Sequence, residues 1–535
     1  VNLNALTIID FYKADHRRQY PEGTELVYSN FTPRSGRLAP VLKDRWDGKV
    51  VVFGIQYLCV HYLIEVFDET FFLLPKETVV RQYKRRMDTA LGQDAVSVDH
   101  IEALHDLGYL PIEIKALPEG SVVPMKVPVL TIKNTLPEFF WIVNYLETLL
   151  SNTLWHPMTV ATIAREYKRM LMDYAETTGA SKDFVPFQAH DFSYRGVENP
   201  YAAASAMGHL LSFVGTDTVA AIDAAEDYYG ADAEKELIGC SVPATEHSVM
   251  CMGGQEDEIG TFKRLVTELY PRGIVSIVSD TWDFWRVVTE YVDILKPEIM
   301  AREGKVVIRP DSGDPVKIVC GYRAYEHNGP EHLGDILGRF DTINAEVIKW
   351  RGKWYEIKQD LTFNETNLTD SEVKGAIQCL WDVFGGTIND KGFKELDPHI
   401  GLIYGDSITL ERAQTILEGL KAKGFASSNV VFGVGSFTYQ HVTRDSFGFA
   451  MKATYGVVDG VGREIFKDPI TDSGTKKSAK GLLRIDLDDN GEYVLKDQCD
   501  WMTEEGGQLE TVFKDGDLVK TTTLAEIRQR VEEGL

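Results

Sequence analysis

The sequence predicts an α/β protein in two parts. A (β/α) barrel is expected over residues 161–445, carrying a probable insertion at 321–398, and an α+β sheet domain is expected from 1–160 together with 446–535. Three observations lead there. From about residue 185, short Val/Ile-rich runs recur, as parallel strands buried on both faces do. At least four consecutive runs end in Gly, Asp or Arg, where a barrel carries its chemistry; an open sheet would gather such ends at one switch point. After 445 the chain turns strand-rich with polar turns, and those strands need partners that the N-terminal segment can supply.

Taken in order, KVVVFGIQYLCV at 49–60 and SVVPMKVPVLTI at 121–132 predict strands, and TVVRQYKRRMDTAL at 78–91 predicts a helix. LPEFFWIVNYLETLLSN at 136–152 has apolar residues at helical spacing behind a first-turn proline, which predicts one long amphipathic helix. The barrel strands are expected in GIVSIVSD ending at Asp280, KVVIRPDSGDP with Arg309 and Asp311, IGLIYGD ending at Asp406, and NVVFGVGS reaching Gly435. The stretch 321–398 is polar and breaks this rhythm, although AEVIKWRGKWYEI at 345–357 is strand-like. LRIDLDDNGEYVLKD at 483–497 predicts a hairpin, and TTLAEIRQRVEEG a closing helix.

Composition narrows the function. In 535 residues, 81 Asp and Glu outnumber 56 Lys and Arg, for a net charge of −25. No Lys/Arg block offsets this, so nucleic acid and anionic membranes are poor partners. No apolar run approaches the ~18 residues of a membrane span. The first twenty residues lack the pattern of a secretory leader, and six scattered cysteines show no zinc spacing. A soluble cytoplasmic enzyme is expected.

Asp217, Asp280, Asp311 and Asp406 all close strand-like runs. Each alone reads as a helix N-cap before it reads as a catalyst, but four on one rim exceed what capping requires. Clustered carboxylates suit Mg²⁺, which comes with phosphorylated substrates, or ribose hydroxyls. The turn GVGS at 433–436 can present backbone amides to a phosphate, or can be glycine-rich for tight geometry alone. Arg444, Lys452, Lys467, Lys476, Lys477 and Lys480 form a local cation excess that fits a phosphate or pyrophosphate, or a solvated loop. His247, in SVPATEHSVM, reads on pattern alone as structural more readily than functional, and the pair Phe192 and Arg195, in HDFSYRG, fits a flat ring and a phosphate or ordinary packing with a surface charge.

Ordered motifs decide more. DFYKADHRRQYP at 10–21, GIQYL at 54–58, LPIEIKALPEG at 110–120, HDFSYRGV at 190–197, GTDTVA at 215–220, SVPATEHS at 241–248, VSDTWD at 278–283, IRPDSGDP at 308–315, GD at 405–406, FGVG at 432–435, QHVTRD at 440–445 and IFKDPITD at 465–472 follow one another across nearly the whole chain except 321–398. Together they resemble the nicotinamide phosphoribosyltransferase family, within the type II phosphoribosyltransferases. The resemblance implies a barrel-type phosphoribosyltransferase domain. It implies synthesis of nicotinamide mononucleotide and pyrophosphate from nicotinamide and 5-phosphoribosyl 1-pyrophosphate, with Mg²⁺, in NAD salvage. It also implies a homodimer with active sites at the interface, and ATP hydrolysed through a phosphorylated His247. By position, Phe192 and the partner's Tyr12 sandwich the ring and Asp217 accepts its amide N–H. Arg195 and Arg309 flank ring and ribose phosphate with Asp311 beside them, and Asp280 lies near pyrophosphate and metal, so Asp280 and Asp311 are the metal candidates. Asp406 holds ribose hydroxyls, and Gly405, Gly435 and Ser436 bind the 5′-phosphate. Arg444 fits the phosphate region, with Lys452, Lys467 and Lys476 from the partner on the pyrophosphate.

Ser436 stands where family members often have another glycine, and Ala450 where some carry serine. The nearest rival is a nicotinate phosphoribosyltransferase, which commonly has Ser-Asn in place of Asp217-Thr218. A barrel glycosidase with two carboxylates would leave the lysines and the glycine turn unexplained. A non-catalytic ligand-binding protein is at odds with the intact charged positions.

Overall fold

The computed structural model describes residues 4–198, 202–339, 344–360, 362–466 and 479–535. Six parallel strands form one sheet in the order Gly215–Thr216, Ala189–Asp191, Val431–Val434, Ile400–Tyr404, Glu303–Arg309 and Arg272–Val278. Its two edges are joined by the irregular segment 240–245. Cys240 bridges Gly215 in parallel, and Ala244 bridges Ser276. The Thr216 amide donates to Cys240 O at 2.9 Å and the Thr245 amide to Ser276 O at 3.0 Å. The ring is thereby closed, and its members follow one another in chain order, so the expected barrel is present. The four strands read from their apolar runs are all there. Ala189–Asp191, Gly215–Thr216 and 240–245 are too short to show as runs and are added by the structure.

The termini build a second, seven-stranded sheet in the order Val461–Glu464, Ala450–Val458, Thr24–Thr32, Leu130–Asn134, Ile112–Ala116, Glu510–Lys514 and Asp517–Leu518. Thr24–Thr32 pairs antiparallel with Ala450–Val458, and Ile112–Ala116 with Glu510–Lys514, so N- and C-terminal segments do complete one sheet. One large apolar core runs through both sheets, from Phe31, Ile114 and Phe513 to Ile277, Ile308 and Phe432.

Local expectations met two corrections. The run 49–60 is strand only at Lys49–Val51. At Gly54, with φ of 91°, the chain turns left-handed and enters a buried helix. Buried Glu119 fixes that turn by accepting the amides of Gly54 and Gln56 at 2.9 and 2.5 Å. A short apolar run cannot be told from a buried helix by periodicity, and a distant carboxylate made the choice. The helix expected over 136–152 is broken: a turn at Pro137–Phe139 and a short helix Ile142–Tyr145 precede the 32-residue helix Glu147–Thr178. That helix carries Pro157 in its interior and runs straight through residue 160, where the first part was expected to end.

The insertion is narrower than its sequence texture. Strands Ala324–His327, Val347–Trp350, Lys353–Ile357 and Phe363–Glu365 form a separate sheet with a small core of Leu333, Ile336 and Ile348. The later helix Ala376–Phe384 buries Ile377, Leu380 and Phe384 in the main core instead.

Candidate active site

The carboxyl ends of the barrel strands converge on one mouth, as their polar termini predict. The strand Ala189–Asp191 delivers Phe192, whose amide donates to Val434 O at 2.8 Å. Its ring lies in a slot between two strands. A methyl group on Gly433 would come within 2.5 Å of that ring and 2.6 Å of Gly405 Cα, and one on Gly405 within 3.4 Å of the ring. Gly433 of the glycine-rich turn therefore serves close packing, whereas a methyl at Gly435 would meet open space. Ser436 Oγ lies so close to Gly196 that a Cβ there would be 2.0 Å away, which brings the Arg195 turn beside the turn at 435–436.

Asp217 caps the next strand position. Its Oδ1 accepts from Ser241 Oγ at 2.5 Å and lies 2.8 Å from His190 Nε2. Burial raises its pKa, but the His190 and Ser241 hydrogen bonds and the Arg309 charge outweigh this and hold the carboxyl below the usual range. Arg309 donates to Thr245 O, and its buried Nε has no partner among the described residues. Burial pushes the Arg309 pKa down, against Asp311, Asp217 and Asp280, which raise it.

On the far side, Asp280 is bonded through both oxygens. Oδ1 lies 3.1 Å from His247 Nε2, and Oδ2 accepts the Asp311 amide at 2.8 Å and Ser312 Oγ at 2.5 Å. His247 opens the helix His247–Gly253 with its side chain half exposed. Tyr404 OH donates to Ser312 O and Gly313 O at 3.1 and 3.0 Å, pinning the same loop. Asp311 itself is raised by burial, with Asp280 and Asp406 adding to the rise and Arg309 and His247 opposing it. Asp406 accepts only from Ser407 Oγ, at 3.2 Å, among the described residues.

No three His, Cys, Asp or Glu side chains form a metal cage among the described residues. Mg²⁺ needs none, since it is held by one or two carboxylates together with substrate phosphates. The rim fits that mode: Asp280, Asp311 and Asp406 neighbour one another, and of the two metal candidates Asp311 makes no side-chain hydrogen bond among the described residues while Asp280 holds the Asp311 amide.

A second charged cluster lies on the terminal sheet. Lys452, on Ala450–Val458, is pushed down by burial; Glu147 raises it, and Arg34, Lys13 and Arg444 lower it further. Arg444, expected in the phosphate region, has its charge beside Arg34 and Lys452. Lys13 pairs with Glu147 and lies 4.9 Å from the ring of Tyr12, which is 59% exposed. Tyr12 and Lys452 therefore share one neighbourhood, and neither touches Phe192 or Asp217 among the described residues. Lys467 and Lys476 lie outside the described residues. Sequence reasoning missed Lys13, Arg34, His190 and Ser241. Lys13, His190 and Ser241 stood inside quoted motifs, but only their partners in space show what they do.

Carboxylates, an aromatic slot and an open backbone turn at the carboxyl ends of a closed parallel barrel define a transferase of the barrel class. Residues 187–517 match the nicotinate phosphoribosyltransferase (NAPRTase) family, and residues 4–114 match the nicotinamide phosphoribosyltransferase N-terminal domain. The chain is 56% identical to the nicotinamide phosphoribosyltransferase of Acinetobacter baylyi, over 100% of this chain and 98% of that one. It is 31% identical to the protein of that name from Xanthomonas campestris, over 99% and 98%. The crystal structure of nicotinate-nucleotide pyrophosphorylase from Pyrococcus furiosus has the same fold, with a TM-score of 0.52, 14% identity, and coverage of 99% of this chain and 95% of that one. The chain belongs to the nicotinamide phosphoribosyltransferase family.

Proposed function

We propose that this protein joins nicotinamide to 5-phosphoribosyl 1-pyrophosphate, giving nicotinamide mononucleotide and pyrophosphate. The observation that carries the reading is Asp217: an ionised carboxylate at the barrel mouth, its Oδ1 held by His190 and Ser241, with Oδ2 free of partners among the described residues to accept an amide N–H. Phe192 offers a face to the ring, and the Arg309 guanidinium, which lines the same cavity, offers positive charge to the amide oxygen or to a phosphate. The ring nitrogen is already a nucleophile, so no general base is needed. What remains is to align it with C1 of the ribose and to stabilise the sugar cation and the departing pyrophosphate. Asp406 suits the ribose hydroxyls, and Gly405, Gly435 and Ser436 suit the 5′-phosphate beside Arg195. Asp311, braced by Asp280 and Tyr404, would hold Mg²⁺, which when bound neutralises pyrophosphate charge.

The cluster of Lys13, Arg34, Arg444 and Lys452 has the right charge for pyrophosphate, yet it lies apart from Phe192 within one chain. A homodimer in which that cluster and Tyr12 enter the partner's barrel mouth reconciles the two, and the exposed Phe11 and Tyr12 support it. His247 is the candidate phosphoryl acceptor. Asp280 holds Nε2, which leaves Nδ1 to attack the γ-phosphorus of ATP while ADP departs. No described helix is long and apolar enough to cross a membrane, and the six cysteines are unpaired, which supports a reducing, cytoplasmic setting. Product analysis with nicotinamide, nicotinate and quinolinate offered in parallel, each with phosphoribosyl pyrophosphate and Mg²⁺, tests the reading. Nicotinamide mononucleotide should dominate, and turnover of nicotinate alone would overturn it.

A further inference from the structure

We infer that His190 is a positioning residue for the choice of base: its contact with Asp217 decides which carboxylate oxygen faces the ring substituent. This rests on the nicotinamide reading above and deepens it. His190 sits mid-strand, in register with Gly433 on one side and Gly215 on the other. With no side chains beside it, the imidazole can lie across Gly215, where a methyl group would meet Nδ1 at 3.0 Å. The ring reaches Asp217 Oδ1 at 2.8 Å through Nε2 and packs on Phe192 with centroids 4.8 Å apart. It thus touches both residues assigned to the base and lines the same cavity of about 530 Å³.

One consequence follows. Nε2 must carry a hydrogen for the contact to form, and with Ser241 Oγ on the same oxygen, Oδ1 is filled and Oδ2 is left for the substrate. The carboxylate is held ionised, so the oxygen turned to the ring accepts an amide N–H and repels a second carboxylate.

The test is kcat/KM for nicotinamide and for nicotinate in the full-length protein, His190→Ala, His190→Gln and Ser241→Ala, with thermal unfolding confirming that each variant is folded. His190→Ala should lose roughly ten- to hundredfold in kcat/KM for nicotinamide, mostly in KM, the range for one hydrogen bond to a charged group, and the ratio of nicotinamide to nicotinate should fall with it. His190→Gln can still donate to Oδ1, so it should recover much of that ratio, and Ser241→Ala should lower it. An unchanged ratio in His190→Ala, or no recovery in a folded His190→Gln, overturns the inference alone. A preference for nicotinate in the unaltered protein overturns it together with the functional reading.

Discussion

The barrel mouth and the terminal sheet carry opposite charge. Asp217, Asp280, Asp311 and Asp406 stand on strand ends of the mouth, while Lys13, Arg34, Arg444 and Lys452 cluster on and beside the antiparallel sheet. Each region is electrostatically strained alone: burial and neighbouring carboxylates raise Asp311, and burial and neighbouring cations depress Lys452. The difference teaches that neither region is a complete site for a reaction that must hold a sugar cation and release a polyanion. The mouth suits the first task and the sheet the second, and the proposed dimer would bring the two charges together.

The largest expected effect tests that division directly. Asp311→Ala should lose at least a hundredfold in kcat/KM, as removal of a principal electrostatic group does, and Tyr12→Ala should lose ring stacking from the other side. Mixing the two after verified subunit exchange should restore activity through hybrid sites that carry neither substitution. A mixture that stays inactive would show that the cation cluster and the mouth do not meet in trans.

Asp217→Ser sharpens the mouth's role. A nicotinate would place its carboxylate about 4 Å from Asp217, a repulsion of roughly 4 kcal/mol at an effective dielectric of ~20, or on the order of a thousandfold. Arg309 lies close enough to reduce this, so it is an upper bound. The serine variant should lose nicotinamide efficiency and narrow or reverse the preference, whereas a steady ratio of kcat/KM values would mean Asp217 does not read the amide.

Lys452→Ala probes the sheet. Its KM for phosphoribosyl pyrophosphate should rise about tenfold, with a weaker dependence on salt than the unaltered protein, as expected for one phosphate-facing cation. An unchanged KM would leave Lys452 a partner of Glu147 only. His247→Ala should leave slower synthesis detectable while abolishing ATP stimulation and radiolabel transfer from γ-labelled ATP.

The smallest effect lies behind the mouth. Glu258 is buried with Oε1 unpaired among the described residues and, by burial first and Asp283 second, is pushed up to about 7. Its folded-state pKa lies above the unfolded value, so its protonated form favours folding, and that contribution is lost as pH rises through about 7. Glu258→Gln should therefore stabilise the protein by about 1–3 kcal/mol at pH 8 and by nearly nothing at pH 4. Denaturant unfolding at the two pH values reads the difference, and equal effects at both would remove the titration from the account.

Much of the mouth was legible because its chemistry is local. Asp280, Arg309 with Asp311, and Asp406 each follow a buried apolar run, and a parallel strand announces its carboxyl end by where that run stops. The short strands at 189–191 and 215–216 gave a weaker signal: Asp217 and Phe192 stood out as residues, but only motif resemblance gave them roles.

By itself, then, the sequence determined the barrel class, the order of its longer strands, the shared terminal sheet and the carboxylate rim, since apolar periodicity and strand-end residues are properties of neighbours along the chain. Only the tertiary structure decided that Gly433 exists to admit the Phe192 ring, that Glu119 turns 54–66 into a helix, that Arg444 keeps company with Arg34, and that His190 and Ser241 fill one oxygen of Asp217. Each of these joins residues tens to hundreds of positions apart, and sterics, hydrogen bonds and Coulomb forces act through space, where sequence separation carries no information.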